Sequence, residues 1–127
     1  MINVKESKYN VGNDCYNMSR ENIEKVLTVY SQKIKNYFGD KFVAMYLYGS
    51  CARGDYTEYS DIDTFILLNT VKEDIAEKLG EICNIKSDLN LENNVQVSTV
   101  IENKEFFEYW KNDNPLFVNV VKDGVPI

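Results

Sequence analysis

Two apolar runs joined by a short polar loop constrain this chain more than any other feature. Phe42-Val43-Ala44-Met45-Tyr46-Leu47-Tyr48 is rich in aromatic and aliphatic side chains and reads as a buried strand. It runs directly into Gly49-Ser50. A second run, Asp61-Ile62-Asp63-Thr64-Phe65-Ile66-Leu67-Leu68, reads as another strand, and residues 49–60 between the two are small and polar. A loop with one helical turn fits there.

The surroundings read as helices and one more strand. Ser19 is a plausible N-cap for a helix in which Ile23, Val26, Leu27, Tyr30, Ile34, Tyr37 and Phe38 recur at helical spacing, and Gly39-Asp40 ends it. Ile75, Leu79, Ile82, Cys83 and Leu89 mark a helix over about 71–88, interrupted by Gly80. Val95, Val97, Val100 and Ile101 suggest a strand over 94–101. Phe106, Phe107 and Trp110 mark a short helix whose aromatic side chains read as core. Another helix follows Asn114-Pro115 and stops at Gly124. The expected order is helix–strand–strand–helix–strand–helix–helix, an α/β (α+β) domain on a small mixed sheet. Residues 1–18 are polar and aperiodic and read as an irregular lead-in, so the domain is expected over 19–127.

Asp61 and Asp63 carry the sharpest chemical signal. Side chains two apart on a strand project from one face, so both carboxylates point the same way. Such a pair suits a hard cation, and Mg²⁺ commonly takes one or two carboxylates plus water and phosphate oxygens. Gly49 permits close backbone approach to a ligand. A helical turn starting at Ser50 would present free N–H groups to an anion. Arg53 has two readings: a charge-assisted bond to phosphate, or an ion pair with Asp55 or Glu58. Cys51 reads as a small buried residue, and Tyr56 and Tyr59 are placed where a nucleobase could stack.

Composition removes competing chemistries. There is no His, which excludes imidazole bases and His-ligated zinc, and the net charge of −6 has no basic cluster to offset it, making nucleic acid a poor partner. Thr64-Phe65-Ile66 excludes an EF-hand loop, and the missing Gly-Lys-Ser/Thr excludes a Walker P-loop. No apolar run reaches the length of a membrane span and no signal peptide is recognisable. Cys15, Cys51 and Cys83 lack metal-ligand spacing, so the cytoplasm is the expected location.

Gly49-Ser50-Cys51-Ala52-Arg53-Gly54, followed after a short spacer by Ser60-Asp61-Ile62-Asp63, resembles the signature of the minimal nucleotidyltransferases of the DNA polymerase β superfamily. The resemblance implies a short mixed sheet flanked by helices. It makes Gly49, Ser50, Arg53 and Ser60 the candidate contacts to ATP or another nucleoside triphosphate. Asp61 and Asp63 become the candidate catalytic residues and ligands of Mg²⁺ or Mn²⁺. The implied reaction passes a nucleoside monophosphate, AMP by preference, to a hydroxyl and releases pyrophosphate. One position departs from the family: a third carboxylate is usual on a later strand, and Gln96 stands there. Glu92 and Glu102 flank that strand, with Glu102 too far along it. Gln cannot act as a base near pH 7.

Three functional readings follow. The chain carries almost nothing beyond the nucleotide-binding unit, which points to an acceptor on a partner protein. Small proteins of this kind often serve as antitoxins to HEPN-type ribonucleases, and self-association is also open. Alternatively the chain is a nucleotide-binding masking module whose catalysis is weakened by Gln96. Small-molecule transfer of the aminoglycoside type is the third reading, disfavoured because those enzymes usually add a helical domain.

Overall fold

The structure, a computed structural model, describes residues 19–127; the lead-in expected over 1–18, with Cys15, lies outside the described residues. Helix α1 spans Arg20–Phe38 and is capped by the Ser19 hydroxyl, which accepts from Asn22 N. Its buried stripe of Ile23, Val26, Leu27, Tyr30, Ile34 and Phe38 has the spacing read from the sequence, except that Tyr37 is exposed. A 3₁₀ turn, Gly39–Lys41, leads into strand β1, Phe42–Tyr48. A four-residue helix α2, Ser50–Arg53, follows, then strand β2, Ile62–Leu68, and helix α3, Lys72–Asn93. The remainder is strand β3, Val97–Asn103, helix α4, Lys104–Trp110, helix α5, Pro115–Asp123, and strand β4, Val125–Pro126.

The sheet order is β3-β2-β1-β4. β1 runs antiparallel to β2 and β4, and β2 runs parallel to β3, with α3 as the crossover. The two sheet faces bury different sets. Met45, Leu47, Ile62, Ile66, Leu68 and Val97 pack with α1 and α3, while Phe65 and Leu67 pack with Phe107 of α4 and Phe117 and Val120 of α5. Aromatic side chains dominate the second cluster: Phe65 lies 5.3 Å from Phe107 and 5.6 Å from Phe117, and meets Tyr48 edge-on at 6.3 Å, all by ring centroid.

Among the described residues, Thr64 is buried, polar and central. Its hydroxyl donates to Ser98 O at 2.8 Å and lies 3.0 Å from Thr99 Oγ1, which in turn lies 2.7 Å from the Tyr30 hydroxyl. This chain of hydroxyls, running from buried Thr64 through half-buried Thr99 to Tyr30, ties β2, β3 and α1 together and favours one β2–β3 register.

The structure departs from the sequence reading at four points. α3 continues to Asn93 rather than ending near 88, because Leu89 keeps the buried stripe going until Asn94 adopts a left-handed conformation (φ 52°). β3 consequently begins at Val97, not 94, and runs to Asn103. Two-residue β4 was unseen, being too short for any alternation to register; it is held by pairing of Leu47 with Val125 and Tyr46 with Pro126. The aromatic trio of α4 divides: Phe107 is core, Phe106 is half-buried and Trp110 is 41% exposed. No helix among the described residues is long and apolar enough to cross a membrane.

Phe65 touches both short helices, so Phe65→Ala removes the keystone of that cluster. Such truncations cost about 3–5 kcal/mol, a large share of the roughly 5–15 kcal/mol that stabilises a small domain. Urea denaturation should show that loss; a change under about 1 kcal/mol would contradict the packing.

Candidate functional site

The site lies at one end of the sheet, where β1 ends and β2 and β3 begin. Antiparallel register sets Tyr48 opposite Asp63, and parallel register sets Ser98 opposite Asp63 on the other side. Alternation assigns Asp63 to the face of Phe65 and Leu67, beyond the cover of the helices on that side. Asp61 precedes the first residue of β2 and is exposed, and Asp63 is half-buried. Between them, Ile62 is fully buried on the opposite face, as the alternation requires.

Gly49 follows β1 with φ 76° and ψ −155°, a region that only glycine adopts without strain. A β-carbon built there would fall 2.6 Å from Asp63 Oδ2. Two requirements therefore meet at one position: the backbone must turn, and nothing may stand between it and the carboxylate. Ala52 N and Arg53 N both donate to Gly49 O, at 3.1 and 3.0 Å. The N–H groups of Ser50 and Cys51 precede these first bonds of α2 and are the ones such a turn leaves for a ligand. Cys51 is buried against the α1 side and donates Sγ–H to Asp61 O at 3.5 Å, while Arg20 Nη1 donates to Cys51 O at 3.2 Å. Burial pushes the Cys51 thiol up to about 11, with help from the Asp63 charge, so it is an inert packing residue.

Burial, with the Asp61 charge second, raises the Asp63 carboxyl above its ordinary value, and the Arg53 guanidinium pulls it partly back. Tyr48 is raised for the same two kinds of reason, burial and then Asp63. A paired, partly desolvated carboxylate with a raised proton affinity is an unfavourable arrangement for the chain alone. A cation would relieve it.

The remaining sequence candidates fall as follows. Arg53 pairs with Asp55 at 3.2 Å, one of the two partners expected from the sequence, and with Asp123 at the end of α5 at 3.3 Å, a partner 70 positions away that no local pattern reveals. Arg53 thus ties α2 to α5 while staying close enough to influence Asp63. Ser60 closes the preceding loop: its hydroxyl accepts from Thr57 N at 3.0 Å and its N–H donates to Thr57 O at 3.1 Å. Tyr56 packs against the α1-side core, whereas Tyr59 is 88% exposed. Gln96 is exposed and sits just before β3 rather than inside it; its carbonyl nevertheless accepts from Ile62 N at 2.8 Å, so it lies across from Asp61. Glu102 pairs with Leu67, about 13 Å along the ladder from Ser98 at 3.3 Å per residue. Among the described residues, no three His, Cys, Asp or Glu side chains converge as a metal-binding group.

The chain belongs to the nucleotidyltransferase family, since residues 31–124 match the nucleotidyltransferase domain; within that stretch lie the Gly49-Ser50 turn, the aspartate it is pressed against and a second aspartate two residues earlier. Two curated relatives come from Methanocaldococcus jannaschii, each named "putative protein adenylyltransferase". One is 32% identical over 104 residues, covering 81% of this chain and 95% of the relative. The other is 24% identical over 104 residues, covering 82% and 70%. The crystal structure of a "putative nucleotidyltransferase" from Sulfolobus solfataricus superposes with a TM-score of 0.60 over 94% of this chain and 87% of the other at 18% identity, which shows the shared fold.

Two outcomes test this geometry. Gly49→Ala should destabilise the fold by about 1–3 kcal/mol. Gly54→Ala, at φ 93° with open space around it, should cost only about 1 kcal/mol. Equal urea midpoints for the two would contradict the contact with Asp63. The second concerns pH. The folded chain holds the Asp63 proton more tightly than the unfolded chain, so this group's stabilising contribution is present at acid pH and lost as pH rises through its raised value. Asp63→Asn should therefore make the ligand-free chain more stable than wild type at pH 7, with the advantage shrinking as pH falls through the carboxylate range. Denaturation of both proteins at pH 7 and pH 4 measures it; a variant less stable at pH 7 would contradict it.

Proposed function

We propose that the chain binds a Mg²⁺–nucleoside triphosphate, ATP by preference, and transfers the nucleoside monophosphate to a hydroxyl on a partner protein. The observation that carries this reading is the close approach of Gly49 to the Asp63 carboxylate at the head of α2, which sets the Gly49-Ser50 turn beside one of the two candidate metal ligands. The donor set fits the metal: two carboxylates, one of them partly desolvated, and oxygen ligands only. Asp61 and Asp63 would hold it, and when bound it would offset phosphate charge and polarise the reacting phosphoryl group.

The chain's own groups have distinct tasks. Ser50, through its hydroxyl and N–H, and the Cys51 N–H receive phosphate oxygens. Arg53 holds α2 against α5 through Asp123 and keeps positive charge beside the carboxylates. Ser60 fixes the loop that delivers Asp61. Tyr59, exposed two residues before Asp61, is available for stacking on a base. In the transfer, the acceptor oxygen forms a bond to the α-phosphorus, the bond to the β-phosphate bridge breaks, pyrophosphate leaves and the acceptor proton passes to a proton-accepting group beside the acceptor.

A protein acceptor is supported by the names of the Methanocaldococcus relatives, one of which this chain spans almost end to end. The acidic charge suits a more basic partner. The resemblance to small antitoxins makes a HEPN-type ribonuclease in the cytoplasm the partner to try first. A second reading, a nucleotide-binding masking module with weak transfer, is favoured by the neutral Gln96 beside Asp61.

Incubation with Mg²⁺ and ATP labelled at the α-phosphate, together with the product of the adjacent gene, should label that partner, and ATP labelled at the γ-phosphate should not. Bound ATP without α-label transfer would leave the masking reading standing alone. Asp61→Ala and Asp63→Ala should each abolish Mg²⁺-dependent nucleotide binding by calorimetry; undiminished affinity in both would remove the metal assignment.

A further inference from the structure

Position 96 is the part of the site that the nucleotide does not explain. The loop entering β3 is held by Asn90 from two directions: Val95 N donates to Asn90 O at 3.2 Å, and Val97 N donates to Asn90 Oδ1 at 2.9 Å. Ile62 N closes the third side by donating to Gln96 O at 2.8 Å. The backbone of residue 96 is thus fixed across from Asp61 whatever its side chain. Val97 is buried on the α1 side and Thr99 reaches Tyr30 there, so alternation assigns Gln96 and Ser98 to the other face, that of Asp61 and Asp63. Along this margin the site offers only an exposed amide and a hydroxyl. The nearest acid further along β3 is Glu102, whose carboxylate accepts from Asn103 N far from the aspartate pair.

A second divalent cation beside the first requires negative charge on both sides of it, because adjacent dications repel and dehydrate reluctantly. Of the two strands that meet here, only β2 presents carboxylates, and those of Asp55 and Asp123 are taken up by Arg53. Deepening the reading above, and resting on it, we propose that Gln96 makes this a one-metal site: Asp61 and Asp63 hold the single ion that accompanies the triphosphate, and the neutral 96/98 margin excludes a second. Acceptor activation then falls to the acceptor's own surroundings, so efficient transfer requires a partner that brings its own proton-accepting group.

Metal counting tests this apart from any activity. The chain is passed through a sizing column in buffer with Mn²⁺ and the non-transferable analogue α,β-methylene-ATP, and manganese is measured per bound nucleotide. Wild type should carry one Mn²⁺ per nucleotide and Q96D two. Two in wild type would overturn the proposal, as would one in Q96D that is folded by circular dichroism. Q96N serves as the neutral control and should stay at one; two would overturn the proposal. Failure of wild type to retain any nucleotide with Mn²⁺ would instead remove the nucleotide-binding reading and this proposal with it.

Discussion

The approach of the Gly49 backbone to the Asp63 carboxylate is the constraint on which the site depends. It exists because β1 and β2 pair antiparallel with Tyr48 opposite Asp63, so that the residue leaving one strand meets the first acid on the other. Everything upstream serves that register. The hydroxyl chain through Thr64, Thr99 and Tyr30 locks β2 against β3 and α1, one layer beneath the aspartates. The Phe65 cluster holds α4 and α5 against the other face and carries Asp123 to Arg53. In the absence of a ligand, Asp63 bears the cost of this arrangement as a raised proton affinity, and a bound cation is the natural compensation.

Much of this was legible in the sequence for identifiable reasons. α1 could be read because its stripe is long and its cap local; β1 and β2 because dense apolar runs met a break in polarity. The Gly49-Ser50 turn and the acid pair at the head of β2 were readable because both signals are short-range; the strand read from Asp61 in fact begins at Ile62, so alternation governs Asp63 while Asp61 just precedes it. Cys51 as a packing residue and Arg53 as a partner of Asp55 also followed from local chemistry.

What escaped the sequence involves distance or context. Asp123 meets Arg53 across 70 positions, and only the tertiary fold sets that separation. β4 is two residues long and is defined by its neighbour rather than by any pattern of its own. The start of β3 was displaced because Val95 continues the apolar pattern, while the backbone there is governed by Asn90 and the left-handed Asn94. That displacement matters for function. It leaves Gln96 outside the strand yet still across from Asp61, a position fixed by hydrogen bonds on three sides and therefore a controlled place for charge, or for its omission.

The account stands on the claim that Asp61 and Asp63 jointly hold the metal of a bound nucleotide beside the Gly49-Ser50 turn. Anomalous diffraction at the manganese edge, from crystals grown with Mn²⁺ and a non-transferable triphosphate analogue, tests it most directly. The account predicts an anomalous peak bonded to both carboxylates and to triphosphate oxygens, with those phosphates against Ser50. A nucleotide bound elsewhere, or a manganese site that touches neither aspartate, would contradict it.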